Sequence, residues 1–396
     1  MANANLGNAR KAKNDEFFTQ FHDIEKEMNA YLEYNPAVFK NKTVLLPCDD
    51  PEWSNFTRYF AQNFEKLQLK KLISTSYAPN SKPREIPYQP TLFEIDSPEF
   101  DETKTVSNGK VFTLSHDRTG DKNINVEDLE WGYLEGDGDF RSAEIKTLRD
   151  EADVIITNPP FSLFREFLAW IVEAKKEFAL IGNMNAITYR EVFPLIKEDR
   201  MWLGNGFHAG NAYFSSPVSR HYASGVFDEK SGLVKFRNVI WFTNLDHGRR
   251  HQPLPLMTEA DNIKFSKHKQ VKHVAYQKYD NYDAIEVPFT DAIPSDYDGV
   301  MGVPISFLDK YSPEQFEILG AHQRGCHDEF PDTKKYDNYW EMRPDGTPTG
   351  SSGGKTNENP NLERNDGKGN YFVNSEGHVV QSAYSRIFIR HRRATP

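Results

Sequence analysis

Cysteine is nearly absent: Cys48 and Cys326 are the only two in 396 residues. That excludes a disulfide framework and a cysteine-rich zinc site. Long apolar runs are missing as well. Stretches such as Val154–Thr157 stop far short of the ~20 residues a membrane-spanning helix requires. The opening residues, Met1-Ala-Asn-Ala-Asn-Leu-Gly-Asn-Ala-Arg-Lys11, are polar and lack the apolar centre of a secretory signal. No glycine-rich phosphate loop is present, which disfavours nicotinamide and nucleoside triphosphate ligands. These absences point to a cytoplasmic protein. What is present suits a folded enzyme, with 38% hydrophobic and 27% charged residues. Glycine (24) and proline (23) stand at average levels, so fibrous and low-complexity architectures are excluded. The length allows one large domain or two of ordinary size.

The net charge of −10 argues at first against a polyanionic partner. Charge is segregated, however, and local fields rather than totals decide association. Residues 80–151 carry 9 basic and 17 acidic side chains, whereas 233–275 carry 8 basic and 3 acidic, with four histidines besides. Arg386, Arg390, Arg392 and Arg393 crowd the last dozen positions. Two basic runs interleaved with aromatics predict a basic groove in the C-terminal third.

Periodicity divides the chain into three regions. Residues 1–35 read as a helical arm in which Phe17, Phe21, Ile24, Met28 and Tyr31 recur at helical spacing until Asn35-Pro36 ends the pattern. Residues 36–245 alternate strands and helices. Thr43–Pro47 is a strand, Ser54 caps a helix, Leu72–Tyr77 is a second strand, and strand Asp153–Thr157 precedes helix Ser162–Lys175. That rhythm predicts an α/β fold with a doubly wound, mostly parallel sheet. Residues 79–135 form an insert with a hairpin expected around Ser107-Asn108-Gly109. From 246 to 396 the alternation is lost, which predicts an irregular, basic recognition region containing a flexible loop at 343–370.

The sharpest chemical signal is Asn158-Pro159-Pro160-Phe161, directly after a strand. Two prolines forbid helix and withdraw backbone donors, so the chain leaves the strand in a stiff extended turn. Such a turn offers the Asn158 oxygen and the Pro159 carbonyl as fixed acceptors beside an aromatic ring. That set suits gripping the exocyclic amino group of a flat heterocycle, with Phe161 stacked on it. Accepting both hydrogens of an adenine amino group aims the nitrogen lone pair outward, toward a methyl sulfonium held in line. Cys48-Asp49-Asp50-Pro51 follows the first strand of the sheet, where cofactors bind. Asp139-Phe140 precedes the helix that leads into the Asn158 strand. These carboxylates suit a cofactor bearing an ammonium and a sulfonium, and Phe140 is placed to pack on its adenine.

These segments resemble the EcoRI-type adenine-specific DNA methyltransferase family. The likeness rests on Asn8–Phe17, Cys48-Asp-Asp-Pro51, Gly136-Asp-Gly-Asp-Phe-Arg-Ser142, Asn158–Arg165, Gly182–Tyr189 and Trp241–His247, in that order. It spans roughly 8–320, with a weaker echo at Arg386–Arg390. The resemblance implies an S-adenosylmethionine-dependent methyltransferase fold and a monomeric prokaryotic or phage enzyme. Such an enzyme flips an adenine from duplex DNA and methylates N6. It acts in a restriction-modification system, beside an endonuclease that forms no stable complex with it, or as a solitary methylase. It also assigns Phe18 and Thr19, with Asp49, Asp50, Pro51, Asp139, Phe140 and Asn158, to the cofactor. The acid expected to hold the cofactor ribose at the end of the second strand is missing from Ser74-Thr75-Ser76-Tyr77, and Asp117 of the insert is the candidate replacement.

On the DNA side, His247, Arg249 and Arg250 follow a sheet strand and are the expected contacts to phosphates or guanine edges. His247 and His251 stand four apart with no third ligand near, so no metal is expected. The alternatives are transfer to an RNA adenine or a protein glutamine, and an inactive DNA-binding relative.

Overall fold

The computed structural model describes residues 17–49, 54–79, 95, 97–207, 211–215, 225–321, 333–353, 356–364, 369–383 and 385–392. It divides into two units, Met1–Met184 with Met201–Gly248, and Asn185–Arg200 with Arg249–Pro396.

The first unit begins with β1 (Phe18–Thr19), α1 (Phe21–Tyr34), β2 (Thr43–Leu46), α2 (Asn55–Gln62) and β3 (Lys71–Ser76). It continues with β4 (Lys110–Leu114), β5 (Glu130–Tyr133), α3 (Ala143–Glu151), β6 (Val154–Thr157), α4 (Phe164–Glu173) and β7 (Glu177–Asn183). It ends with β8 (Trp202–Leu203), β9 (Asn211–Ser215), β10 (Phe227–Asp228), β11 (Leu233–Arg237) and β12 (Val239–Thr243). The strands that read as unbroken apolar runs, β2 and β6, are buried at every residue and lie side by side at the centre of an eight-stranded sheet. Buried aliphatic and aromatic side chains of this kind contribute about 1.5–3 kcal/mol each. Helices start where side chains cap them. Ser54 Oγ accepts from Phe56 N at 3.1 Å and Ser142 Oγ from Ile145 N at 3.2 Å.

The sheet order is β5-β4-β3-β2-β6-β7-β12-β8. Strands β3, β2, β6 and β7 are parallel, with Val44 opposite Leu72 and Val154, and Ile155 opposite Phe178. From β2 the chain winds through α2 to β3 on one side, and from β6 through α4 to β7 on the other. The winding therefore reverses between β2 and β6, the place where open α/β sheets bind ligands at their carboxyl edge.

The expected doubly wound, mostly parallel sheet is corrected to a mixed one. β4 runs antiparallel to β3, β5 to β4, and β12 to both β7 and β8. At the β4–β5 edge the reason is the insert, which returns as a hairpin instead of crossing over. The turn at Ser107–Gly109 only leads into β4. The hairpin loop is 115–129, where Asp128 accepts from Arg118 N, Thr119 N and Asn125 N at 2.9, 2.9 and 3.0 Å. A second, antiparallel sheet of order β1-β9-β11-β10 pairs Thr19 with Phe214 and Phe214 with Val234.

The second unit holds α5 (Phe193–Lys197), α6 (Glu259–Phe265), β13 (Ile285–Glu286), β14 (Met301–Pro304), β15 (Phe316–Ala321) and β16 (Tyr339–Met342). It closes with β17 (Pro348–Ser352), β18 (Asn361–Glu363), β19 (Tyr371–Asn374), β20 (Val379–Ser382) and β21 (Arg386–His391). The irregular region expected from sequence carries two sheets, ordered β13-β14-β21-β15 and β17-β16-β19-β20-β18. Its strands are short and separated by turns, so each alone gives little periodic signal. β17 and β18 come from the glycine-rich stretch 343–370, where Gly346 and Gly350 adopt φ of +85° and +80°. Arg386 and Arg390 of the arginine-rich tail lie in β21, an internal strand between β14 and β15, and Arg393 lies outside the described residues. No described helix is long and apolar enough to cross a membrane.

Candidate active site

Asn158 stands at the carboxyl end of β6, beside the reversal in winding. Its Nδ2 donates to Phe17 O at 2.6 Å. A main-chain carbonyl can only accept, so the amide must turn its NH2 toward Phe17 and its oxygen away. That oxygen is buried and has no hydrogen-bond partner among the described residues. An unmet buried acceptor costs about 1–3 kcal/mol and calls for a functional reason. Pro159 and Pro160 are buried, and Pro160 caps a 3-10 turn, Phe161–Leu163, that runs into α4. Phe161 packs edge-on to Phe236 and Phe214, with ring centroids 5.6 and 6.4 Å away, and Phe17 meets Phe236 at 4.5 Å. Phe17, Phe161 and Phe236 are half-buried and form an apolar cluster at this turn.

The strand Phe18–Thr19 is fixed to this turn at two points. Asn158 holds Phe17, and Asn55 Nδ2 donates to Thr19 O at 2.8 Å. Phe18 is half-buried and faces Ser215 in the small sheet. Thr19 is buried, and its hydroxyl also lacks a partner among the described residues.

Asp49 follows Cys48, a non-glycine residue held at φ 66°, the strained backbone that ligand turns often store. Its buried carboxylate accepts from Ser54 Oγ at 2.9 Å and Thr157 Oγ1 at 2.8 Å. Its main-chain oxygen accepts from Ser74 Oγ, which lies 2.9 Å from Thr57 Oγ1. Asp49 thus ties the ends of β2, β3 and β6 to the start of α2. Asp50 and Pro51 lie outside the described residues.

The acidic loop 134–142 is laid across the end of β3. Gly109 and Gly138 sit so close to Ser76 that a Cβ on either would collide with the Ser76 carbonyl, and Ala78 N donates to Asp137 O at 2.9 Å. The Asp139 carboxylate takes Arg141 through Nε at 2.8 Å and Nη2 at 2.6 Å. The Arg141 guanidinium also reaches Glu166 at 3.3 Å. Phe140 is only 1% exposed and packs on Phe167 and Trp170 of α4 at 5.0 and 5.7 Å. Its side chain thus packs against α4 at the edge of the loop 134–142. Asp117 caps its own turn, accepting from Gly120 N at 2.6 Å and Lys122 N at 2.8 Å.

The family described as adenine-specific methyltransferase EcoRI matches residues 5–392. The chain belongs to that family. Among its relatives, the type II methyltransferase M.EcoRI of Escherichia coli is 41% identical over 319 residues, covering 79% of this chain and 88% of the relative. M.MpnI of Mycoplasma pneumoniae is 33% identical over 318 residues, covering 78% and 83%. No solved structure matches.

In this EcoRI-family chain the residues expected to contact DNA are engaged within the fold. His247 is buried, with Nε2 2.9 Å from Leu203 O. Arg250 is 7% exposed and pairs with Asp199, while Arg249 pairs with Asp309 at 2.7 Å. All three side chains thus have partners within the protein. Among the described residues no group of three or more His, Cys, Asp and Glu could hold a metal.

Sequence reasoning also missed Glu27. It is fully buried on α1, accepts from Tyr31 Oη at 2.5 Å, and takes Asn205 N at 3.1 Å and Gly206 N. Burial and the Glu27 charge hold the Tyr31 hydroxyl well above its ordinary pKa. Its sign in the sequence is an acid on the apolar stripe of Ile24, Met28 and Tyr31.

Proposed function

We propose that the chain is a site-specific DNA methyltransferase that transfers a methyl group from S-adenosylmethionine to N6 of an adenine flipped out of duplex DNA. The observation that carries this reading is the Asn158 oxygen, buried, fixed in direction and unsatisfied at the carboxyl edge of a parallel core. The four parallel strands are then the heart of the methyltransferase fold. The buried, unpartnered hydroxyl of Thr19 and the acids of the loop 134–142 fit the cofactor, which supplies an electrophilic methyl on a sulfonium. The residues of the chain do the rest. Asn158 Oδ1 and the Pro159 carbonyl accept from the target amino group, Phe161 supports the base, and Phe17 with Phe236 excludes water. Asp49 and Asn55 act behind these, keeping the strand ends in register. Catalysis is positioning and electrostatics, with no covalent enzyme intermediate.

The family's adenine specificity favours a base over a glutamine amide as acceptor. Its relatives are named type II methyltransferases, which supports a role beside an endonuclease acting on the same site. Purified protein with duplex DNA and labelled cofactor is the test, followed by nucleoside analysis. N6-methyladenine is the expected product. Asn158→Ala should cut turnover about 100-fold or more while cofactor binding persists; turnover like the wild type in this variant would sink the mechanism.

A further inference from the structure

The second unit neutralises many of its basic side chains internally. Arg386 pairs with Glu286, Arg390 with Glu317 at 2.9 Å and Lys334 with Glu376 at 2.6 Å. Residues 262–274 depart from this. They contain Lys264, Lys267, Lys269, Lys272, His268 and His273, and no acid.

This basic segment is folded, not a loose run. Thr258 caps α6, accepting from Asp261 N at 3.1 Å. The chain then doubles back, so that His273 N donates to Ile263 O at 2.7 Å and Lys272 N to His268 O at 2.8 Å. Val271 is buried beneath this return as a plug. His268 lies flat on Phe289, with centroids 3.7 Å apart and an interplanar angle of 7°. One acid, Asp291, meets both His268 and Lys267 at 2.8 Å. Burial opposes its charge, but these two partners outweigh burial and pull its carboxyl below the ordinary pKa. Lys264, Lys269 and Lys272 are exposed, and no carboxylate pairs with them among the described residues.

At the end of α6 stands Phe265, 60% exposed, the highest value of any large hydrophobic side chain among the described residues. Lys264 Nζ lies 4.9 Å from its ring centre, and Val274 is exposed nearby in sequence. A face that serves only solvation has no use for a phenylalanine held out among lysines, because exposed apolar area is unfavourable in water. A polyanion with apolar sugar and base surface satisfies both features at once. In a chain of net charge −10, a rigid local cluster of this kind gives such a partner a place to approach.

We propose that the knob formed by residues 262–274 docks duplex DNA, with Lys264, Lys269 and Lys272 on backbone phosphates and Phe265 against the sugar and base surface. The proposal rests on the reading of the chain as a DNA methyltransferase. Phosphate contacts of this type position the duplex and carry no sequence information.

The test uses the full chain and a random-sequence duplex, titrated at several salt concentrations. Lys264→Gln/Lys269→Gln/Lys272→Gln should bind roughly tenfold or more weakly, with a log–log salt slope shallower by about 2–3, near 0.9 per lost phosphate contact. Phe265→Ala should weaken binding severalfold and leave the slope unchanged. Cofactor affinity by calorimetry, and turnover at saturating DNA, should match the wild type in both. Wild-type affinity and slope in the triple variant would overturn the proposal, as would weakened binding with an unaltered slope. Lysine acetylation of the wild-type protein gives an answer even if the variant fails to fold. The duplex should shield Lys264, Lys269 and Lys272, and equal labelling with and without DNA overturns the docking. Failure of the methyltransferase reading shows differently, as a wild-type chain that binds duplex but transfers no methyl group.

Discussion

In the first unit the oxygens of Asn158 and Thr19 are buried with no partner among the described residues, whereas in the second unit the buried Glu286 takes both Arg386 and Tyr279. The two arrangements cost and return energy differently. An unmet acceptor is a standing penalty that a substrate can relieve, as the Asn158 oxygen is placed to show at the carboxyl edge of the sheet. A buried ion pair has already met its needs and fixes the fold around it. Burial, followed by the Glu286 charge, pushes the Tyr279 hydroxyl well above its ordinary pKa, so that side chain stays a neutral donor. Lys264, Lys269 and Lys272 of the knob at 262–274 are a third case, exposed charges with no carboxylate paired to them among the described residues. Polar groups thus sort by what completes them: a ligand, the fold itself, or a partner surface.

The largest effect that could break this comparison is on stability. Arg386→Ala leaves Glu286 buried without its cation and should cost about 3–5 kcal/mol, read by chemical denaturation. A near-neutral result would mean that the pair is not a scaffold. Asn158→Ala should do the reverse, losing turnover at a stability cost of about 1 kcal/mol or less, because removal of an unsatisfied acceptor offsets the loss of one hydrogen bond to Phe17 O. Unfolding of that variant at markedly lower denaturant would make Asn158 structural.

Asp139 sharpens the boundary between the two kinds of group, since it belongs to the candidate site yet is already paired with Arg141. Asp139→Ala should weaken cofactor binding about tenfold, the loss of one charge-assisted hydrogen bond. An unchanged dissociation constant by calorimetry would assign Asp139 to Arg141 alone. The smallest effect concerns pH. Hydrogen bonds from Thr119 hold the Asp128 carboxyl below its ordinary pKa, over the opposition of desolvation and with help from Asn125 and Arg118. A depressed folded pKa stabilises above the unfolded value of about 4 and loses that contribution as pH falls through the folded value. The stability gap between wild type and Asp128→Asn should therefore be present at about pH 6 and close toward about pH 3. A gap that stays constant would detach the hairpin loop from this carboxylate.

The apolar runs of β2 and β6, the caps Ser54 and Ser142, the end of α1 before Pro36 and the turn at Asn158-Pro159-Pro160-Phe161 were all legible in the sequence. They depend on residues within a few positions of one another, through propensity, capping and the fixed geometry of proline. The family was legible too, because several motifs stand in one order. What lay beyond the sequence was decided by partners far along the chain. Thr157 meets Asp49 from 108 positions away, Phe17 meets Asn158 from 141, and Asp199 draws in Arg250 from 51. That Phe140 packs on Phe167 and Trp170 depended on where α4 came to lie, and that Arg386 and Arg390 stand in a strand depended on β14 and β15. Local pattern sets the type of an element and the chemistry it carries. Which charges are neutralised, and which polar atoms remain unmet, is settled only when packing brings distant segments together.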